Sequence, residues 1–115
     1  MSTFDHANLI QGITESLGQF RKSQPDAMQG FGQLAKAAMS NGVISEKNKE
    51  LIALAIGVAA RCDGCIGFHT QALIKLGVTK LQLAEMLGVA VMMGGGPSLM
   101  YAAEAMRAYE EFGGQ

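Results

Sequence analysis

The sequence predicts an all-α fold: about six helices in a single compact domain over residues 1–115, assembling as an oligomeric helical bundle. Three observations predict it. The helix formers Ala (16), Leu (11) and Met (8) outnumber the β-branched Val (5), Ile (7) and Thr (4). Apolar residues recur at three- and four-residue spacing between breaks made by Gly, Pro and capping residues. At 115 residues, 49% hydrophobic and 17% charged, the chain has one domain's length and enough apolar surface for a core.

The first helix is expected from about Asp5 to Arg21, with Leu9, Ile10, Ile13, Leu17 and Phe20 on one face. His6 is expected in a frayed tail, without a role. Pro25 suits a first helical position and opens a second helix with a Met28, Phe31, Leu34, Ala35, Ala38 stripe, weakened by Gly30 and Gly32 and ended at Asn41-Gly42. Ser45 is an N-cap, and Glu46 sits at the positive helix end. The third helix is apolar nearly all round from Leu51 to Ala60, which predicts burial on every side and therefore neighbours from other subunits.

Cys62-Asp63-Gly64-Cys65 interrupts the chain before a fourth helix to Leu76, which Gly77-Val78 stops with a left-handed turn. Thr79-Lys80-Leu81-Gln82 reads as a capping box for a fifth helix with Leu81, Ala84, Leu87, Gly88 and Val91 on one face. Gly94-Gly95-Gly96-Pro97 breaks it and matches no phosphate loop, lacking a preceding strand and a following Lys. The sixth helix starts at Pro97, with contacts from Leu99, Ala102, Ala103, Met106 and Tyr109–Phe112 and a wet face of Glu104, Arg107, Glu110 and Glu111. The methionines Met86, Met92, Met93, Met100 and Met106 read as core or interface filler.

Charge and hydropathy narrow the function classes. A net charge of -1 without a basic patch argues against nucleic acid as a partner. The longest apolar run, Leu51–Ala60, is half of the roughly 20 residues that a membrane span needs. The N-terminus has no basic start followed by an apolar stretch, so a cytoplasmic location is expected.

The chemistry-bearing pattern is Glu50, Cys62, Cys65 and His69. Two cysteines placed at random would fall three apart roughly once in sixty, so their spacing is informative. Cys65 and His69 stand at i and i+4, on one helix face. Cys62 lies in the turn before that helix, where the positive helix end favours thiolate. If the chain reverses around Arg61–Asp63, Glu50 comes within about a turn of His69, in direct or one-water reach. A carboxylate orienting an imidazole beside a thiol is how a cysteine nucleophile is activated. The same four side chains could instead ligate a metal, although structural zinc prefers Cys and His alone. The cysteines could also be inert core residues. Covalent haem would need His at position 66, which is Ile.

The stretch KNKELIALAIGVAARCDGCIGFHTQALIKLG, Lys47–Gly77, resembles the core of the carboxymuconolactone decarboxylase family. The CxxC with His four residues on resembles its alkylhydroperoxidase D-like branch. The resemblance spans about residues 41–97. It implies an all-helical domain forming homotrimers or homohexamers, with thiol peroxidase or disulfide reductase activity and neither cofactor nor metal. The implied partners are a hydroperoxide or disulfide substrate and a thiol reductant, either a dithiol protein or a lipoyl-type carrier. By analogy Cys65 attacks the peroxide and becomes sulfenic acid, Cys62 resolves it, and His69 and Glu50 relay the proton. The best-known hydroperoxidases of the branch carry His immediately before the second cysteine, where this chain has Gly64. The alternatives are a decarboxylase-like lyase and a non-catalytic metal- or ligand-binding oligomer.

Overall fold

A computed structural model describes residues 5–115. Among these the chain forms six α-helices and no strand: α1 (His6–Ser23), α2 (Pro25–Met39), α3 (Glu46–Ala59), α4 (Asp63–Lys75), α5 (Lys80–Gly94) and α6 (Gly96–Glu111). Local signals set most of the ends. Ser45 caps α3 by accepting the Asn48 N–H at 3.1 Å. Thr79 and Gln82 form a reciprocal capping box on α5. Of the Gly94–Pro97 run only Gly95, at φ +75°, lies outside a helix.

The core lies where α3, α4, α5 and α6 meet. Leu54, Val58, Ile66, Leu73, Leu83, Ala105 and Ala108 are fully buried there. Small residues let the helices approach closely, and Tyr109 closes one end by donating to the Val78 carbonyl at 3.3 Å.

Several expected faces hold only in part: Leu87 on α5 and Ala102 and Tyr109 on α6 are buried as expected. On α5 the buried residues are Leu83, Leu87 and Ala90, whereas Leu81, Ala84 and Gly88 are exposed. On α6 Ser98, Ala102, Ala105, Ala108 and Tyr109 are buried, whereas Leu99 and Ala103 are exposed. Both helices carry apolar residues around most of their circumference, so periodicity leaves the phase open and tertiary packing selects it. Within one chain, α3 is not enclosed on every side: Leu54, Gly57 and Val58 face inward, and Ile52 and Ile56 face out. The α2 stripe is also uncovered. That helix has no buried residue, and Phe31 and Leu34 are 68% and 64% exposed.

The start of α1 also differs from expectation. His6 is the first residue of α1 and is buried, with Nε2 3.0 Å from Glu104 Oε1 on α6. Glu104 in turn accepts from Arg107 at 2.6 Å. The Glu111 carboxylate accepts the backbone N–H groups of His6 and Ala7 at 3.1 and 2.7 Å. Asp5 caps α1, and the Asn8 N–H it accepts holds its carboxyl below the usual value of 3.8. These bonds fasten α1 to α6, so the local propensity to fray is overridden by distant partners.

Candidate active site

The site is built on the α3–α4 hairpin. Its turn is a Schellman closure. Cys62 N–H donates to the Gly57 carbonyl at 2.9 Å and Arg61 N–H to the Val58 carbonyl at 3.2 Å, with Arg61 left-handed at φ 58°. Cys62 is therefore fixed by the end of α3 and also serves as the N-cap of α4. Its Sγ accepts the Cys65 N–H at 3.2 Å. That bond places one sulfur at the positive end of α4, where thiolate is favoured.

Cys62 and Cys65 are joined as a disulfide, with Cα atoms 5.2 Å apart. Both are half-buried. Gly57 decides how closely α4 lies on α3. A Cβ at Gly57 would stand 2.9 Å from the Cys65 Cβ, closer than real side chains come. On the opposite side α1 covers the motif. A Cβ at Gly64 would stand 2.9 Å from Ile13 Cδ1, and one at Gly67 would enter the Ile10 side chain. The position that carries His in the best-known hydroperoxidases thus lies against Ile13 of α1.

Glu50 and His69 meet directly. Glu50 Oε2 lies 2.6 Å from His69 Nδ1 across the hairpin, with no water between. Glu50 is nearly buried and His69 is about a third exposed. A carboxylate has only acceptors, so Nδ1 carries the hydrogen and Nε2 keeps a lone pair able to take a proton. Cys65 and His69 share a face of α4, one turn apart. All four expected residues therefore belong to one hairpin. Among the described residues no group of three or more His, Cys, Asp or Glu is placed to hold an ion.

The profile of the carboxymuconolactone decarboxylase family matches residues 25–108, most of the chain. The chain belongs to the carboxymuconolactone decarboxylase family. The match reaches beyond residues 41–97 on both sides and takes in α2 and nearly all of α6. The crystal structure of a carboxymuconolactone decarboxylase family protein from Legionella pneumophila superposes with a TM-score of 0.91 at 55% identity, covering 93% of this chain and 96% of that one. An uncharacterized protein of Cupriavidus necator is 38% identical over 108 residues, 94% of this chain and 96% of its own length. A family protein from Thermotoga maritima, with a possible involvement in antioxidative response, shares the fold at a TM-score of 0.80 and 24% identity, covering 89% of this chain and 87% of that one.

Three features of this family member escape a reading of its sequence motifs. Gly57 is hidden inside an apolar helical run, although an isolated Gly in such a run is itself a sign of close approach. Ile13 touches the motif from about fifty residues upstream, a contact no local spacing encodes. The His6–Glu104 pair joins the two ends of the described chain and has no spacing signal at all.

Proposed function

We propose that this protein is a thiol-dependent oxidoreductase, an alkylhydroperoxidase-like peroxidase or disulfide reductase that cycles Cys62 and Cys65 between dithiol and disulfide. The observation that carries this reading is the Cys62–Cys65 bond at the start of α4 with the Glu50–His69 pair beside it on the same hairpin.

In the reduced chain, Cys65 gives its thiol proton to His69 Nε2 while Glu50 holds the imidazole and stabilises its charged form. The Cys65 thiolate attacks the terminal oxygen of a hydroperoxide. The O–O bond breaks, Cys65 becomes sulfenic acid, and the alkoxide leaves as an alcohol with the proton from His69. Cys62 then attacks Cys65 Sγ; the S–O bond breaks, water leaves with the Cys62 proton, and the disulfide forms. The backbone N–H on Cys62 Sγ favours the thiolate this step needs. A dithiol reductant, on a protein or a lipoyl-type carrier, returns two electrons by thiol–disulfide exchange.

The working form is proposed to be a homo-oligomer, a trimer or hexamer by family resemblance. An open apolar groove of about 490 Å³ runs past Ile52, Ile56 and Val89. Exposed Met92, Met93, Leu99 and Met100 add to the uncovered apolar surface.

Sulfenic-acid labelling of Cys62→Ser and Cys65→Ser after one equivalent of an organic hydroperoxide tests the mechanism. Label on Cys65 in Cys62→Ser is expected. Label on Cys62 in Cys65→Ser, with none on Cys65 in the other variant, would reverse nucleophile and resolver. Absence of label in both variants, with stoichiometric zinc in protein purified without chelator, would replace the redox reading by a metal site.

A further inference from the structure

Three helices of this chain end in the same way. After α3, α4 and α6, the second residue past the C-cap donates back to a carbonyl five residues earlier. The pairs are Cys62 to Gly57 at 2.9 Å, Val78 to Leu73 at 3.0 Å and Gly114 to Tyr109 at 2.8 Å. The closure needs a left-handed residue just before each donor. Two of the three are Gly77 at φ +81° and Gly113 at φ +86°. The third is Arg61 at φ 58°, the one non-glycine with positive φ among the described residues. Glycine adopts this conformation without steric cost, whereas a side chain crowds the neighbouring carbonyl. The strained residue is also the one that adjoins the CxxC.

Strain held at a site calls for a gain from the side chain itself. The gain is not an internal ion pair: Arg61 is exposed, and no acidic side chain among the described residues lies within ion-pair distance of it. Asp63, two residues along and half-buried in the first turn of α4, is the one charged residue inside the motif. Backbone bonds at Arg61 and Cys62 fix where the long side chain starts. Its Cα is about 3.8 Å from that of Cys62, so a guanidinium on a flexible stem can reach a group bound at the disulfide.

We infer that Arg61 is a specificity-determining residue that recruits anionic, carboxylate-bearing disulfide co-substrates to the Cys62–Cys65 centre. The inference rests on the thiol–disulfide reading of the CxxC, not on its reaction with peroxide. Guanidinium suits the task because its charge does not titrate and its donor fork matches a carboxylate.

The test uses the reduced full-length protein with two aromatic disulfides, the dianionic dithiobis(nitrobenzoate) and the uncharged dithiodipyridine. A cysteine thiolate attacks one sulfur of the probe, forming a mixed disulfide and releasing one arylthiolate. The second cysteine closes the Cys62–Cys65 bond and releases the other. Two electrons pass from the dithiol to the probe; the two thiol protons go to the buffer with the nitrobenzoate probe and to the released pyridinethiones with the pyridine probe.

The quantity read is the ratio of the anionic to the uncharged rate constant, which cancels any general change in thiol reactivity. In Arg61→Gln the ratio should fall roughly threefold at low salt, the size of one unit-charge attraction at about 6–7 Å in water. Arg61→Glu should lower it about tenfold or more. Arg61→Lys should keep most of it, and the wild-type ratio should decline as added salt screens the attraction. Arg61→Gly should give the same ratio loss as Arg61→Gln and yet melt above the wild type, because the backbone strain is relieved. A ratio unchanged in Arg61→Gln and Arg61→Glu would overturn the inference alone. A lower melting point for Arg61→Gly would remove the argument from strain and overturn it too. If neither probe releases arylthiolate from the reduced wild type, the thiol–disulfide reading falls and this inference with it.

Discussion

Glu50 Oε2 and His69 Nδ1 stand 2.6 Å apart although they lie nineteen positions apart along the chain. Glu50 lies on the inward face of α3 and His69 on the facing side of α4. The turn at Ala60–Cys62 sets the register between them. The contact is direct, nearly buried on the Glu50 side and open on the His69 side.

That geometry predicts the kinetics of its loss. His69→Ala and Glu50→Gln should each slow peroxide consumption by about 10²–10⁴-fold, the usual cost of an acid–base group. The double variant should lose little more than the worse single one, because the pair acts as a unit. Rates of hydroperoxide loss with a dithiol reductant check this. Losses that multiply in the double variant would mean that the two side chains act independently.

Gly57→Ala should destabilise the fold by about 1–3 kcal/mol, the usual cost of overpacking, because the new Cβ meets Cys65 at 2.9 Å. It should also slow thiol reactivity, since the first turn of α4 must move away from α3. Gly88→Ala is the matched control. Gly88 is exposed in α5 with open space around its Cβ, so the same change should stabilise by up to about 1 kcal/mol through helix propensity. Urea midpoints of the two variants should therefore move in opposite directions.

The fastening of α1 should be measurable. His6→Ala removes a buried partner of Glu104 and should cost about 1–3 kcal/mol. Glu111→Ala leaves the first N–H groups of α1 without their carboxylate. Amide hydrogen exchange should quicken in α1 in both variants more than in α4 or α6. Uniform quickening would show instead that α1 opens only with the whole fold.

Self-association should follow from the uncovered apolar faces. A 15-residue helix such as α2, with no buried residue and two internal glycines, is marginal in water alone. Sedimentation at micromolar concentration should give a multiple of 12.1 kDa. Ile56→Glu, on the outward face of α3, should shift it toward the monomer. A stable wild-type monomer would refute the assembly.

The fold was legible in the sequence where local chemistry sets structure. Ser45, Thr79 with Gln82, and Gly77 satisfy the free N–H and carbonyl groups at helix ends, so the residues that start and stop α3, α4 and α5 can be read directly. The fourfold spacing of Cys65 and His69 is equally local, because one helical turn puts them on one face. A reversal of the chain around Arg61–Asp63 was enough to bring Glu50 into range of His69, though not to say that they touch.

Tertiary structure decided which face of each apolar helix is inside. Leu81, Ala84 and Gly88 satisfy helical periodicity as well as Leu83, Leu87 and Ala90 do, and only the fit against α3 and α6 separates them. It also decided the placement of His6, whose burial depends on Glu104 at the far end of the described chain. Close approach at Gly57 and the cover of Ile13 over Gly64 likewise appear only once α1, α3 and α4 are packed. Helix ends and one-turn spacings are properties of a few consecutive residues, and sequence specifies them. Contacts between helices depend on the crossing geometry of surfaces far apart in the chain, and for helices apolar nearly all round several such geometries bury comparable area until close packing selects one.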